Sequence, residues 1–166
     1  MPEAPAVEPL GAATLNRDWR LEVNTGTDAV PEWITVRGRT DFSPALDTTL
    51  QDDSDMDSEG YKSQTVTALA WSLSTKVVRK ATLDAVPTYD PGQEVLRLAA
   101  QEMGPANSVH CRWFKLGAVR TEAYEGHAAV AWSPDGGGMD GLDTATVTLT
   151  GQGKREAIAH PFTGLP

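Results

Sequence analysis

Hydrophobic and polar residues alternate with a period of two along much of this chain, which is the pattern of half-buried β-strands. The alternation is clearest in residues 144–150, where every second residue is threonine, and it recurs in residues 19–24. Similar runs of strand-forming residues predict further strands at 33–39, 64–78, 109–114 and 120–133, and a short last strand at 156–159 after a turn at Gly151 and Gly153.

One segment has helical periodicity instead. Asp90 is a good N-terminal cap, Pro91 suits the first helical position, and Glu94 favours the positive end of a helix. An apolar stripe follows, and Gly104 with the proline after it ends the pattern. The sequence therefore predicts a helix over residues 91–103.

Seven strand-like runs and one helix predict a mainly β fold, an antiparallel β-sandwich or barrel with one flanking α-helix. We expect residues 17–160 to form this domain. The segment 1–16 is rich in Pro, Ala and Glu and is expected to be a flexible N-terminal arm, with residues 161–166 as a short C-terminal tail.

The stretch 47–60 interrupts the strand pattern with acidic residues and no basic one. Dense like charges repel and resist packing, so we expect a mobile loop or arm within residues 41–62. Loops this long are uncommon in compact domains and are usually functional or disordered. The acidic side chains are Asp47, Asp52, Asp53, Asp55, Asp57 and Glu59.

The charge, the hydrophobic runs and the cysteine count of the chain argue against several classes of protein. The 166 residues carry a formal net charge of −9, which argues against a groove that grips nucleic acid, because phosphate binding needs clustered Lys and Arg. No apolar run approaches the length of a membrane span, and the N-terminus lacks the features of a signal peptide, so no membrane association is expected. The single Cys111 fits a protein made in a reducing cytoplasm.

No catalytic, cofactor or metal motif is evident in the sequence. Asp53, Asp55 and Asp57 begin like a calcium loop, but Ser58 stands where that loop needs glycine and Gln64 where it needs a bidentate glutamate. A solvated arm that makes contacts is favoured over calcium binding. The three histidines form no pair at zinc-finger spacing, so no enzyme activity, cofactor or metal is expected.

The order of these features resembles the major tail tube proteins of long-tailed bacteriophages with non-contractile tails. The similarity lies in three segments: NRDWRLEVNTG with WITVRGRTDFSPALDTTLQDDSDMDSEGYKSQ, then YDPGQEVLRLAAQEMG, then WSPDGGGMDGLDTATVTLTGQGKREAIAHP. No single segment is specific, but the order of strand, acidic loop, long strand, single helix and Thr-rich strand is characteristic.

The resemblance implies a structural virion protein located in the phage tail and assembled in the host cytoplasm. Homo-hexameric rings would stack into a tube that meets the tail tip, tape measure and terminator proteins, and DNA would pass through the lumen without specific binding during ejection. The loop 41–62 and the arm 1–16 would reach the next ring, and strands 64–78 and 120–133 would line the lumen. The inter-ring contact candidates are Asp47, Asp52, Asp53, Asp55, Asp57 and Glu59.

The negative charge suits such a conduit, because acidic side chains in a lumen repel phosphates and lower the friction that ion pairs would cause. The alternative is a monomeric β-sandwich that binds carbohydrate or protein, with exposed tryptophans as its platform. Concentration-dependent assembly separates the two.

Overall fold

The computed structural model describes residues 8–162, which form one seven-stranded antiparallel sheet and one α-helix. The strands follow each other across the sheet in the order β2-β1-β5-β6-β7-β4-β3. Their bounds are β1 Trp19–Asn24, β2 Trp33–Thr35, β3 Ser43–Asp52, β4 Gln64–Val78, β5 Ser108–Lys115, β6 Ala123–Pro134 and β7 Thr144–Ala157, with the helix α1 at Pro91–Ala99.

The sheet curls and closes on itself through the segment between β2 and β3. The Val36 amide donates to the Leu21 carbonyl of β1 over 3.0 Å. Two residues later the chain changes partner, since the Gly38 carbonyl accepts from the Val78 amide of β4 over 2.8 Å. The same short segment thus joins strands from opposite halves of the sheet, and the predicted sandwich or barrel architecture is confirmed.

The core fills the inside of this curled sheet. Trp71 of β4 and Trp113 of β5 stack at its centre with ring centroids 5.0 Å apart. Alternating residues of every central strand point inward, as the period-two pattern predicts. The fully buried apolar side chains around the two rings include Leu21, Val23, Leu73, Val77, Leu96, Cys111, Val147 and Leu149.

Helix α1 is held by its cap and by one buried amide. The Asp90 carboxylate accepts from the Gln93 backbone amide over 3.1 Å, as the sequence predicts. The Gln93 side chain is buried and donates to the carbonyls of Arg37 and Val78 over 2.7 and 3.2 Å. These bonds tie the helix to the segment that closes the sheet.

The helix ends at Ala99, four residues before the predicted end. Leu98 and Met103, which extend the apolar stripe in the sequence, are exposed, so they give no packing that would prolong the helix. The chain turns at Gly104, whose φ of 61° is accessible chiefly to glycine. None of the helices in residues 8–162 is long and apolar enough to cross a membrane.

Three strand predictions need correction. Strand β2 is shorter than the predicted 33–39, because the chain leaves β1 after Val36 and residues 38–40 pair with β4. Strand β6 begins at Ala123 rather than at residue 120. Strand β7 continues through Gly151 and Gly153 to Ala157, because the extra residues form a bulge opposite Gly126 and not the predicted turn.

Candidate assembly site

Strands β3 and β4 form a hairpin that projects beyond the curled sheet. The two strands pair from Ser43 and Ser74 to Asp52 and Gln64. Strand β7 pairs with β4 only over residues 72–78, so the outer half of β4 has β3 as its single neighbour. Every residue of β3 is exposed, and so is every residue from 64 to 70 of β4.

This hairpin corrects the prediction of a mobile loop over residues 41–62. Asp47 is the single charged residue between 43 and 51, and the flanking threonines and leucines suit a strand. The dense charge begins only at Asp52. The connection without strand structure is therefore limited to residues 53–63, which we call the acidic tip.

One face of the hairpin is apolar. Cross-strand pairing places Leu46 opposite the buried Trp71 and Leu50 opposite Val66. A register shift after Thr49 keeps both pairs on the same side of the hairpin. We define the apolar face as Leu46, Leu50, Val66 and Leu69, whose exposed fractions are 45%, 47%, 49% and 63%.

The apolar face continues into a groove against β7. The groove runs from Leu46 and Leu69 to Trp71, whose ring closes its inner end. On the far side it is lined by Gly151 and Gly153, and Lys154 and Arg155 add positive charge to its rim. An apolar floor that meets the core at one end and solvent at the other is suited to receive a side chain or strand from another molecule.

The opposite face is small and polar. Asp47 pairs with Ala70, and Thr49 pairs with Ala68, so both pairs lie on the side away from the apolar face. The hairpin therefore offers two chemically different surfaces, together with the outer edge of β3, which pairs with no other strand in residues 8–162.

The acidic tip is ordered by its own hydrogen bonds. Asp55 caps a 3-10 turn at Met56–Ser58, where its carboxylate accepts from the Asp57 amide and the Ser58 hydroxyl, each over 3.0 Å. The Asp53 carboxylate accepts from the Thr65 hydroxyl. This bond lowers the pKa of Asp53, and hydrogen bonding from Ser54 lowers the pKa of Asp52. Both groups thus remain ionised near neutral pH.

The six inter-ring candidates divide between strand and tip. Asp47 and Asp52 lie on β3, whereas Asp53, Asp55, Asp57 and Glu59 lie in the tip. Within residues 8–162 these carboxylates form no group of three that converges on one point, which gives the calcium interpretation no support. The one convergent group of potential ligands is elsewhere, on β5, β6 and the loop after β1.

The other predicted contact segments are placed only in part. Residues 1–7 of the arm and 163–166 of the tail lie outside the described residues, and residues 8–15 are exposed without helix or strand. The two predicted lumen strands, β4 and β6, belong to one sheet with β7 between them.

No protein-family model and no curated protein matches this sequence. Solved structures do match its fold. A chain in the tail of an empty gene transfer agent particle, determined with C6 symmetry, superposes with a TM-score of 0.65 and 11% identity over 89% of this chain and 100% of that one. A chain of the native gene transfer agent virion gives 0.66 and 14%, with the same coverage.

A further match is to a structure of the SPP1 tail tube. It matches with a TM-score of 0.62 and 12% identity, covering 89% of this chain and 81% of that one. This chain has the tail tube fold. The structural resemblance predicted from the order of sequence features is thereby confirmed.

Proposed function

We propose that this protein is a non-enzymatic structural subunit of a phage-type tail, which forms hexameric rings that stack into a tube for genome ejection. The observation that carries the proposal is the projecting hairpin, exposed on both faces and with half-exposed Leu and Val on one of them. The fold supports the same proposal, because similar chains come from a particle tail with C6 symmetry and from a tail tube. The protein would then reside in the virion tail after assembly in the host cytoplasm.

The hairpin offers two kinds of contact to a neighbouring subunit in a ring. The outer edge of β3 presents unpaired backbone groups that a strand of the neighbour can pair with. The apolar face supplies the hydrophobic contribution, because completing the burial of one half-exposed Leu or Val contributes roughly 1 kcal/mol. A monomer gains nothing from leaving this surface in water, whereas a ring buries it repeatedly.

The acidic tip lies at the far end of the hairpin, where it would contact the next ring. We assign this role to Asp53, Asp55, Asp57 and Glu59, with Asp47 and Asp52 flanking the contact on β3. The arm 1–16 would supply a second inter-ring contact. Tail tip, tape measure and terminator proteins would meet the ends or the interior of the tube.

The sheet that contains β4 and β6 would face the lumen. With a net charge of −9, the chain offers little attraction to phosphate, so DNA would slide through the tube without specific binding. No membrane contact is part of this proposal.

A charge on the apolar face tests the assembly surface. Leu69→Lys places an ammonium group at the most exposed position of that face, where the folded monomer tolerates it. We expect an unchanged melting temperature and loss of rings and tubes by analytical ultracentrifugation. The matched control is Leu83→Lys, also at an exposed leucine but away from the hairpin, which should assemble normally. Normal assembly of Leu69→Lys would contradict the proposal.

The alternative, a binding module with a tryptophan platform, receives no support from the side chains. Trp71 and Trp113 are buried in the core. Trp19, Trp33 and Trp132 are half-buried against neighbouring strands. A cationic side chain of the same chain lies over each of these three rings: Lys115, Arg112 and Arg79 respectively.

A further inference from the structure

Two histidines whose spacing along the chain matches no metal-binding motif lie next to each other across the sheet. His110 of β5 and His127 of β6 are direct cross-strand partners, and their rings stack with centroids 4.6 Å apart. The loop after β1 brings Asp28 over the pair. The three side chains form a cluster on the outer side of the sheet, since the neighbouring Cys111 points into the core.

Two of the three distances within the cluster match those between the ligands of a small tetrahedral cation. The Asp28 Oδ1 atom lies 3.4 Å from His110 Nδ1 and 3.2 Å from His127 Nε2, and all the ligand atoms lie within 4.8 Å of one another. Ligands bound to Zn²⁺ at about 2.0–2.1 Å in a tetrahedron are separated by about 3.3 Å. Two edges of such a tetrahedron are therefore already present.

The neighbouring residues set the protonation of His110 for metal binding. The Asn24 Oδ1 atom accepts from the amides of Gly26 and Glu32, so its Nδ2 group must be the one that faces His110 Nδ1 at 3.3 Å. An amide nitrogen donates, so Nδ1 carries a lone pair and the ring proton is on Nε2. That nitrogen faces Glu125 Oε2 at 3.9 Å, as an outer carboxylate often faces a ligating histidine.

This tautomer leaves acceptor atoms opposed. The lone pair of His110 Nδ1 and the carboxylate of Asp28 face each other without a proton between them. A cation between them would take both atoms as ligands, in place of the contacts that His110 Nδ1 makes with Asn24 and that Asp28 makes with His127.

We propose that Asp28, His110 and His127 bind one zinc-class divalent cation. Two imidazoles and a carboxylate suit zinc, and a water molecule would complete the tetrahedron because Asp28 and His127 are open to solvent. The rings, now stacked at 12° from parallel, would have to leave this stack and tilt towards each other so that both lone pairs meet the ion, and His110 Nδ1 would exchange its bond from Asn24 for the metal. The ion would tie the loop after β1 to β5 and β6.

Titration of the untagged full chain with Zn²⁺ tests this site by calorimetry, and substitution of Co²⁺ reports its geometry by visible absorption. We expect one ion per chain, a tetrahedral cobalt spectrum and a higher melting temperature with zinc. His127→Gln and Asp28→Asn should each weaken binding at least tenfold while the metal-free melting temperature changes little, since the side chains of His127 and Asp28 are 44% and 70% exposed.

The matched control is Asp140→Asn, an exposed aspartate in the turn before β7, which should bind zinc as the unaltered chain does. Binding of equal strength in His127→Gln would place the ion elsewhere, for example at the acidic tip, and would overturn the proposal. So would the absence of stoichiometric binding. Neither result bears on tube assembly, which rests on the hairpin.

Discussion

Trp71 lies flat against two glycines, and this contact defines the inner end of the groove under the hairpin. A methyl group added at Gly151 would sit 2.3 Å from Trp71 Cε2, and one at Gly126 would sit 2.7 Å from Cζ2. The indole Nε1 donates to the Gly153 carbonyl over 2.9 Å, so the ring has little freedom to move away. Both glycines are needed for this close approach, whereas the sequence pattern suggested only a turn at Gly151 and nothing at Gly126.

We therefore predict that Gly151→Ala destabilises the fold. Displacement of a packed indole costs about 1–3 kcal/mol by analogy with other overpacked cores. Urea denaturation followed by tryptophan fluorescence measures the change. Gly138→Ala is the control, since an added methyl there meets nothing within 4 Å, and its free energy of unfolding should stay within about 0.5 kcal/mol of the unaltered protein. Equal stability of both variants would refute the contact.

A second prediction at the residue scale concerns Cys111 and the free energy of unfolding at alkaline pH. Burial raises the pKa of its thiol to about 12. The unfolded chain releases this proton near pH 8.5, so above that value the unfolded state binds fewer protons than the folded one. Stability should fall by about 1.4 kcal/mol per pH unit from this group until the pH reaches the folded pKa.

Comparison with Cys111→Ala isolates the thiol, because the other titrating groups are common to both proteins. The variant is less stable at neutral pH, since the substitution leaves a cavity, but its stability should decline less steeply between pH 9 and 11. Parallel curves in chemical denaturation would show that the thiol is not buried as described.

At the scale of elements, the length of the hairpin and the charge of its acidic tip can be changed independently. Its backbone pairing ends where the Asp53 amide donates to the Ser63 carbonyl over 3.1 Å. Replacing residues 54–62 by Asn-Gly would close the hairpin there with a two-residue turn. We predict that this variant still forms rings but no longer stacks them, as seen by negative-stain microscopy.

A full-length variant with Asp55→Asn, Asp57→Asn and Glu59→Gln is the companion to the shortened tip. It retains the reach of the hairpin and removes its charge. If stacking depends on charge, both variants lose tubes, and the unaltered protein loses them at high salt as well. If the shortened variant formed tubes of normal length, the acidic tip would not be part of the inter-ring contact.

Some elements were predictable from the sequence for clear physical reasons. Residues 144–150 form a strand because every second side chain is buried, and Asp90 caps α1 because its carboxylate reaches a free amide. Strand β3 was missed because all of its side chains are exposed, so its sequence lacks the alternation that burial of one face produces. In addition, the dense charge of the acidic tip was attributed to the whole segment.

The zinc-class cluster was missed for a different reason. His110 and His127 meet only through the register of β5 against β6, and register depends on the complete sheet rather than on spacing along the chain. The six predicted inter-ring residues, by contrast, all lie on β3 or in the acidic tip, because they are close in sequence. Their contacts in an assembly stay a prediction.

At the scale of the whole molecule, the curled sheet is complete in itself, but the hairpin is not. The core is closed by residues 36–40 and covered by α1, so it is enclosed by residues of this chain alone. The hairpin leaves an apolar face and an unpaired strand edge in solvent, which a second copy of the chain would cover. We therefore expect folding and assembly to depend on different residues.

The most direct test of this account is electron microscopy of the purified full chain at increasing concentration. The account predicts rings with six-fold symmetry that stack into tubes with an open lumen. A folded protein that remains monomeric at every concentration would contradict it.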